Sequence, residues 1–305
     1  MASPRKKKLG RKRAQSRIVK QPISNWSDFV DIVLGWPGFR NWAFRGQADA
    51  SWPLRSSLSR HVEYSGVCQD AWSLQEKRIR RIFERKSHLF LEDPPHDELE
   101  WLALMQHHGA PTRLLDLTWS PFVAAFFALE RASGDAAVWA FNLPLMWQSA
   151  GRGLDVHIRD ADPRRPRIYE KFYLPNKHAF VWQGDPFRMP QRVIAQSGTF
   201  LVSGHLGMTV EEIFEQYPRS GRARDDRGDA LLVQFVFDTE AVRADAMASL
   251  YSMNITQSTL FPGLDGLARS MAYEFEYSWE VDLKTNELRE TLTDGRVPRH
   301  ILTID

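Results

Sequence analysis

Between Leu114 and Asn142 the chain reads LLDLTWSPFVAAFFALERASGDAAVWAFN, and no other stretch restricts the fold as much. FVAAFFALERA is a compact apolar helix that ends near Ser133-Gly134-Asp135, LLDLT before it is a short strand, and AAVWAFN after it is a buried strand. Elements this apolar need a sizeable core around them. The 305 residues are enough for one large or two ordinary domains. Eleven Trp and eighteen Phe are too many large apolar side chains for a disordered chain.

The flanking segments supply the rest of that core. Asn25 precedes a helical pattern carrying Phe29, Ile32, Val33 and Trp36 on one face, stopped by Pro37-Gly38. NWAFRGQ suits a strand that ends where Gly46 lets the backbone turn, placing Arg45 at a strand end. Helical patterns cover 69–91 and 97–108, separated by DPPHD. HAFVWQ, RVIAQSGTFLVSG and ALLVQFVFD read as strands, VEEIFEQY as a short helix and LDGLARSMAYEF as a longer one, followed by a polar C-terminal tail. Residues 143–190 are Pro- and Arg-rich and weakly periodic, which suggests mobile or inserted loops. Strands and helices alternate irregularly, so the pattern is α+β. The expected organisation is a basic disordered tail at 1–22 and a single domain at 23–305, its core at about 25–275.

Charge is unevenly spread. Residues 1–20 hold nine basic side chains from Arg5 to Lys20 and no acid, leaving 31 basic against 38 acidic residues, or −7, in the remainder. Such a tail binds polyanions such as nucleic acid or the ribosome, or is simply a solvated terminus. No stretch reaches the roughly 18 apolar residues of a membrane span, and no apolar segment follows the basic start. A single cysteine, Cys68, forms no internal disulfide. These features point to a cytoplasmic protein with no membrane partner. Neither G-x-G-x-x-G after a strand nor a P-loop is present, and Ser203-Gly204-His205 lacks the elbow of a serine hydrolase.

The chemistry concentrates in Phe44-Arg45-Gly46-Gln47, Gln106-His107-His108-Gly109 and Pro111-Thr112-Arg113-Leu114-Leu115-Asp116. Arg offers a rigid fork for phosphate or carboxylate, Gly permits close backbone approach, and Thr, His and Gln can read a ribose or an amide. This suits a nucleotide-like ligand. Arg113 and Asp116 could equally form a local ion pair, and Arg45 could be locked to an internal carboxylate. His107 and His108 are adjacent and have no second ligand cluster at zinc spacing, so no metal is expected.

The segments FRGQ at 44–47, QHHGAPTRLLDLTWSPFVAAFFAL at 106–129, RVIAQSGTF at 192–200 and STLFPGLDGLA at 258–268 closely resemble the FRG domain family, named for its Phe/Tyr-Arg-Gly motif. A more distant similarity is to Arg-Ser-Glu-type ADP-ribosyltransferases, in which an aromatic-Arg-Gly strand grips NAD, a Ser-Thr-Ser-like strand leads into a helix, and a third strand presents a glutamate. Arg45 matches the first element, Thr118-Trp119-Ser120 the second, and RVIAQSGTFLV stands in order for the third.

The resemblance implies a mixed, mostly antiparallel sheet flanked by helices. It also implies NAD as substrate, transfer of ADP-ribose to a nucleic acid or protein, and a toxin or phage-defence role with a neutralising antitoxin as partner. Catalysis would fall to Arg45, His108, Asp116 and Gln196. NAD would lie against Phe44, Arg45, Gly46, Gln47, Gln106, His107, Thr112, Arg113, Thr118 and Ser120. The third element departs from the pattern, with Gln191, Arg192 and Gln196 where a glutamate is expected, so Asp116, Asp265 or Glu211 would have to supply the carboxylate. Two other readings stand beside this one. The first is a non-catalytic nucleotide or nucleic-acid module with Trp42, Trp52 or Trp119 stacking on bases. The second is a nuclease using His107 or His108.

Overall fold

The computed structural model describes residues 17–35, 38, 41–150, 155–218, 230–277, 281–282 and 287–288. The basic side chains from Arg5 to Arg13, Trp36, and most of the C-terminal tail lie outside the described residues.

The strands are β1 (Ile18–Ile23), β2 (Trp42–Gln47), β3 (Leu114–Thr118), β4 (Ala136–Asn142), β5 (Val181–Gly184), β6 (Gly198–Ser203) and β7 (Leu232–Phe237). Two-residue strands β8 (Val281–Asp282) and β9 (Glu287–Leu288) pair separately. The helices are α1 (Trp26–Leu34), α2 (Ser57–Tyr64), α3 (Gln69–Ser87), α4 (Glu98–His107), α5 (Pro121–Leu129) and α6 (Leu143–Ala150), then α7 (Gln191–Ala195), α8 (Val210–Glu215), α9 (Thr239–Ser252), α10 (Gln257–Leu260) and α11 (Leu264–Tyr277). One seven-stranded sheet runs in the order β1-β7-β4-β2-β3-β6-β5. Only the β1–β7 pair is parallel, and the other neighbours are antiparallel. This is the mixed, mostly antiparallel α+β architecture expected. No described helix is long and apolar enough to cross a membrane.

Alternation along the central strands sorts side chains onto two cores. Trp42 and Phe44 of β2 join Val138 and Ala140 of β4 and Val233, Phe235 and Phe237 of β7 on one face, covered by α1, α5 and α9. Ala43, Trp139 and Phe141 point to the other face, where α4, α6 and α8 close the layer. A small third cluster, Leu58, Val62, Trp72 and Leu206, ties α2 to α3. Helix α5 is buried at nearly every position, which explains its unbroken apolar sequence.

Several expectations need correcting. The ordered chain begins before residue 23: β1 occupies Ile18–Ile23, and Arg17, counted with the tail, is fully buried and donates to the carbonyls of Tyr217 (3.0 Å) and Pro218. Residues 155–190 are not mobile loops. Tyr169 and Tyr173 sit on one π-helical turn, stack at 5.2 Å and are fully buried in the second core. Helices α2, α6, α9 and α10 are additions to the sequence reading, and α7 stands where the start of RVIAQSGTFLVSG was expected to be strand.

Gly46 does not turn the chain. It sits inside β2, paired with Val138 of β4. A Cβ there would lie 2.0 Å from the Ala124 carbonyl oxygen and 2.6 Å from the Ala128 nitrogen, both backbone atoms of α5. The glycine therefore permits strand and helix to touch, and backbone cannot give way as a side chain could. Gly46→Ala is expected to cost about 3 kcal/mol or more, read as a lower urea midpoint with an unchanged m-value. A variant as stable as the parent would contradict this packing.

Candidate functional site

A cleft of about 770 Å³ opens where β2, β3 and α4 meet the short helix α7. Its size falls within the range of about 300–1,000 Å³ usual for ligand sites. Arg45 from β2, Asp116 from β3, Gln106 and His107 from α4, and Arg192 and Gln196 from the α7 turn all line it.

Asp116 is the outward-facing residue in an otherwise buried β3. A relay fixes its carboxylate. The buried Thr112 hydroxyl donates to Gln106 Oε1, and Gln106 Nε2 donates to Asp116 Oδ1 at 2.6 Å. The QHHGAPTRLLD segment thus bends α4 back onto β3 so that one side chain aims the next. Gly109 makes that bend at φ 81°, a left-handed conformation suited to glycine.

Arg45 Nη1 donates to the Asp116 carbonyl oxygen at 2.8 Å, while Arg45 Nε is shut off from solvent with no hydrogen-bond partner. Burial lowers the Arg45 pKa from its ordinary value; Asp116 opposes this and the neighbouring Arg60 reinforces it. Arg192 is likewise lowered, by burial and by Arg269, against the pull of Asp116. Two cleft-lining guanidiniums with charged forms disfavoured by their surroundings make a receptor for an anion. With Arg60 and Arg131 the cleft holds four arginines against two carboxylates, Asp116 and Glu130. Glu130 is largely engaged, accepting from the Gln257 amide. The cleft is thus locally cationic, although residues 21–305 carry −7 overall.

Burial, His108 and Arg192 lower the His107 pKa below the ordinary 6.5 and keep the ring neutral near pH 7. The α7 turn is backed by α10 and its following loop, which do not themselves line the cleft. Gln196 Nε2 donates to the Leu260 carbonyl at 3.1 Å, and Phe261 lies between the Arg192 and Arg269 guanidiniums, 4.4 and 5.6 Å from its ring centroid. The STLFPGLDGLA segment therefore braces Arg192 and Gln196 from behind rather than supplying the site's chemistry.

The predicted residues divide sharply. Arg45, Asp116, Gln106, His107 and Gln196 come together in the cleft. Thr112 positions Gln106. Phe44 is core. Gln47 borders the cleft, but its amide is held by the Trp139 indole N–H (2.6 Å) and faces Pro53 O. Thr118 spends its hydroxyl on the Gln196 carbonyl (2.7 Å), and Ser120 caps α5 by accepting from Val123 N.

Thr112 and Ser120 do not themselves line the cleft, and two further assignments lie away from it. His108 lines a different, apolar pocket, since adjacent residues at the end of α4 diverge. Arg113 is fully buried away from the cleft and ion-paired with Glu76 instead of Asp116. Of the substitute carboxylates, Glu211 accepts from Leu54 N, and neither it nor Asp265 lines the cleft. Trp42 is buried, whereas Trp52 is about half exposed on the cleft rim. Sequence reasoning missed Arg60, Glu130 and Arg131; the basic pair Arg55 and Arg60 beside Ser56 was the available signal for the first.

A family model, the FRG domain, matches residues 40–136. Over that stretch the chain is similar to the FRG domain. The matched region runs from the entry to β2 through α5 to the start of β4, and so contains Arg45, the Thr112–Gln106–Asp116 relay and Gly46. It is narrower than the span of resemblance, and Arg192 and Gln196 complete the cleft from outside it. Neither the curated proteins nor the solved structures contain a match to the chain.

Proposed function

We propose that the FRG cleft takes NAD as a substrate and transfers its ADP-ribose to a macromolecular acceptor. The observation that carries the reading is the junction of Arg45 and Asp116: an anion receptor and an exposed, aimed carboxylate on one wall of a ligand-sized cleft. Arg45 and Arg60 would hold the phosphates, and Trp52 and Phe127 offer faces for the rings. In the reaction the bond between the ribose C1′ and the nicotinamide nitrogen breaks, and its electron pair leaves with nicotinamide. Asp116 stabilises the positive charge that develops at C1′. The acceptor's nucleophile bonds to C1′ and gives its proton to neutral His107. Gln196 positions the wall through Leu260.

Of the two histidines, His107 alone lines the cleft, so the nuclease reading would have to rest on that single ring. A cytoplasmic toxin or defence effector, restrained by an antitoxin and guided to nucleic acid by the basic tail, is the setting such chemistry fits.

The test is nicotinamide release from NAD by the full chain, with cellular RNA, DNA and protein offered as acceptors. Asp116→Asn, which keeps the Gln106 contact but not the charge, is expected to slow release about 10²- to 10³-fold. The parent's rate should fall on acidification through a point below pH 6.5, as His107 becomes protonated. A folded parent that releases no nicotinamide with any acceptor would overturn the proposal.

A further inference from the structure

A second cavity, of about 600 Å³, lies between α3 and α4 on the opposite side of α4 from the FRG cleft. Ile79, Phe83, Phe90, Leu104 and Met105 form its walls, with Ile82 43% and Phe90 83% exposed at its mouth. Its surface is almost wholly hydrocarbon. Lys86 is the one charged side chain among its lining residues other than histidine.

The surroundings repeat that sign. Lys77, Arg78, Arg81, Arg85 and Lys86 are exposed along α3, while of its three acids Asp70 stands at the opposite end of the helix and Glu76 and Glu84 are engaged by Arg113 and Arg80. An apolar pocket with one cation at its lining and a cationic helix beside it complements a molecule with an aliphatic body and one negative head. A nucleic acid would match the charge but leave the apolar interior unused.

We propose that this pocket is a second ligand site, taking the chain of a single-tailed anionic amphiphile of the fatty-acid class with its head against Lys86. The inference stands apart from the NAD reading, because it concerns another cavity and its test measures binding alone. Decanoate, below its micelle concentration, and the neutral decanol serve as probes in calorimetric titrations of the full chain.

Decanoate is expected to bind one per chain, with a negative heat-capacity change. Lys86→Glu, at an exposed position, should weaken decanoate at least tenfold and leave decanol within twofold. Ala110→Phe, which fills the pocket from its floor, should weaken both at least tenfold. A thermal melt checks that both variants are folded. Any of four results would overturn the proposal: no decanoate binding, binding indifferent to both substitutions, many decanoates per chain, or association only with anionic vesicles. A stable dimer that buries the pocket and excludes decanoate would assign the face to a second copy instead.

Discussion

Arg113→Met is expected to lower the unfolding free energy by about 3–5 kcal/mol, a large part of the roughly 5–15 kcal/mol that holds a typical domain together. The guanidinium is wholly buried and gives Nε to Glu76 Oε1 at 2.6 Å, Nη2 to the other Glu76 oxygen, and Nη1 to the Ser203 carbonyl at 2.8 Å. It also lies over the Tyr169 and Tyr173 rings, at 5.4 and 5.8 Å from their centroids. Burial works to lower its pKa, but Glu76 and Tyr169 outweigh burial and raise it. Removing the cation leaves the Glu76 carboxylate, 2% exposed, with the Tyr169 hydroxyl as its remaining donor.

The cost is chiefly that of an uncompensated buried charge, so a second substitution should reverse part of it. Arg113→Met with Glu76→Leu is expected to be more stable than Arg113→Met alone, short of the parent because Tyr169 and Ser203 lose partners. Urea unfolding of all three proteins checks this. An Arg113→Met protein with parental stability but no ligand binding would return Arg113 to the cleft.

Arg113 also shows where sequence reading stops. Its neighbours Thr112, Leu114 and Asp116 gave every local reason to place it in the site, and its true partner stands 37 positions earlier on α3. Nothing local encodes such a pairing. The cleft's centre was legible because its relay is short-range, Gln106 to Asp116 across one bend whose Gly109 is visible in the text. His107 and His108 were indistinguishable until the phase of α4 was known.

The same contrast runs through the fold. β2, β3, β4 and α5 carry strong apolar patterns and were read with small boundary shifts. β1 fully buries Ile23 alone, with Val19 to Pro22 exposed, and hides in a basic context. α9 buries Val242, Ala246, Met247 and Leu250, a helical spacing weakened by the small side chain in its middle, though the Asp238 cap was there to be seen. The 155–190 segment is held by Tyr169 and Tyr173, whose burial follows from Arg113 and Glu76 beneath them and not from any period of their own.

Arg45→Ala should do the reverse of Arg113→Met, abolishing activity while sparing the fold. Arg45 is held beside Arg60 with its Nε unmet, and burial lowers its pKa. Its charge is therefore a burden on the free protein that Asp116 offsets in part and an anionic ligand relieves further. Removing it forfeits one hydrogen bond, to the Asp116 carbonyl, and relieves a like-charge contact, so stability should stay within about 1 kcal/mol of the parent. Nicotinamide release should fall at least about 10²-fold, the scale for losing one preorganised electrostatic donor. Arg45→Lys keeps the charge but cannot hold the Asp116 carbonyl and a phosphate with one planar fork. It is expected to recover binding of NAD in part, with kcat/KM still at least about tenfold below the parent, a loss of about 1.4 kcal/mol of transition-state stabilisation. Urea unfolding and nicotinamide release measured on the same preparations separate the two roles. If Arg45→Ala unfolds as Arg113→Met does, Arg45 is a structural arginine and the anion receptor does not exist. If it is stable and releases nicotinamide at the parental rate, the cleft binds its substrate without the arginine for which the family is named.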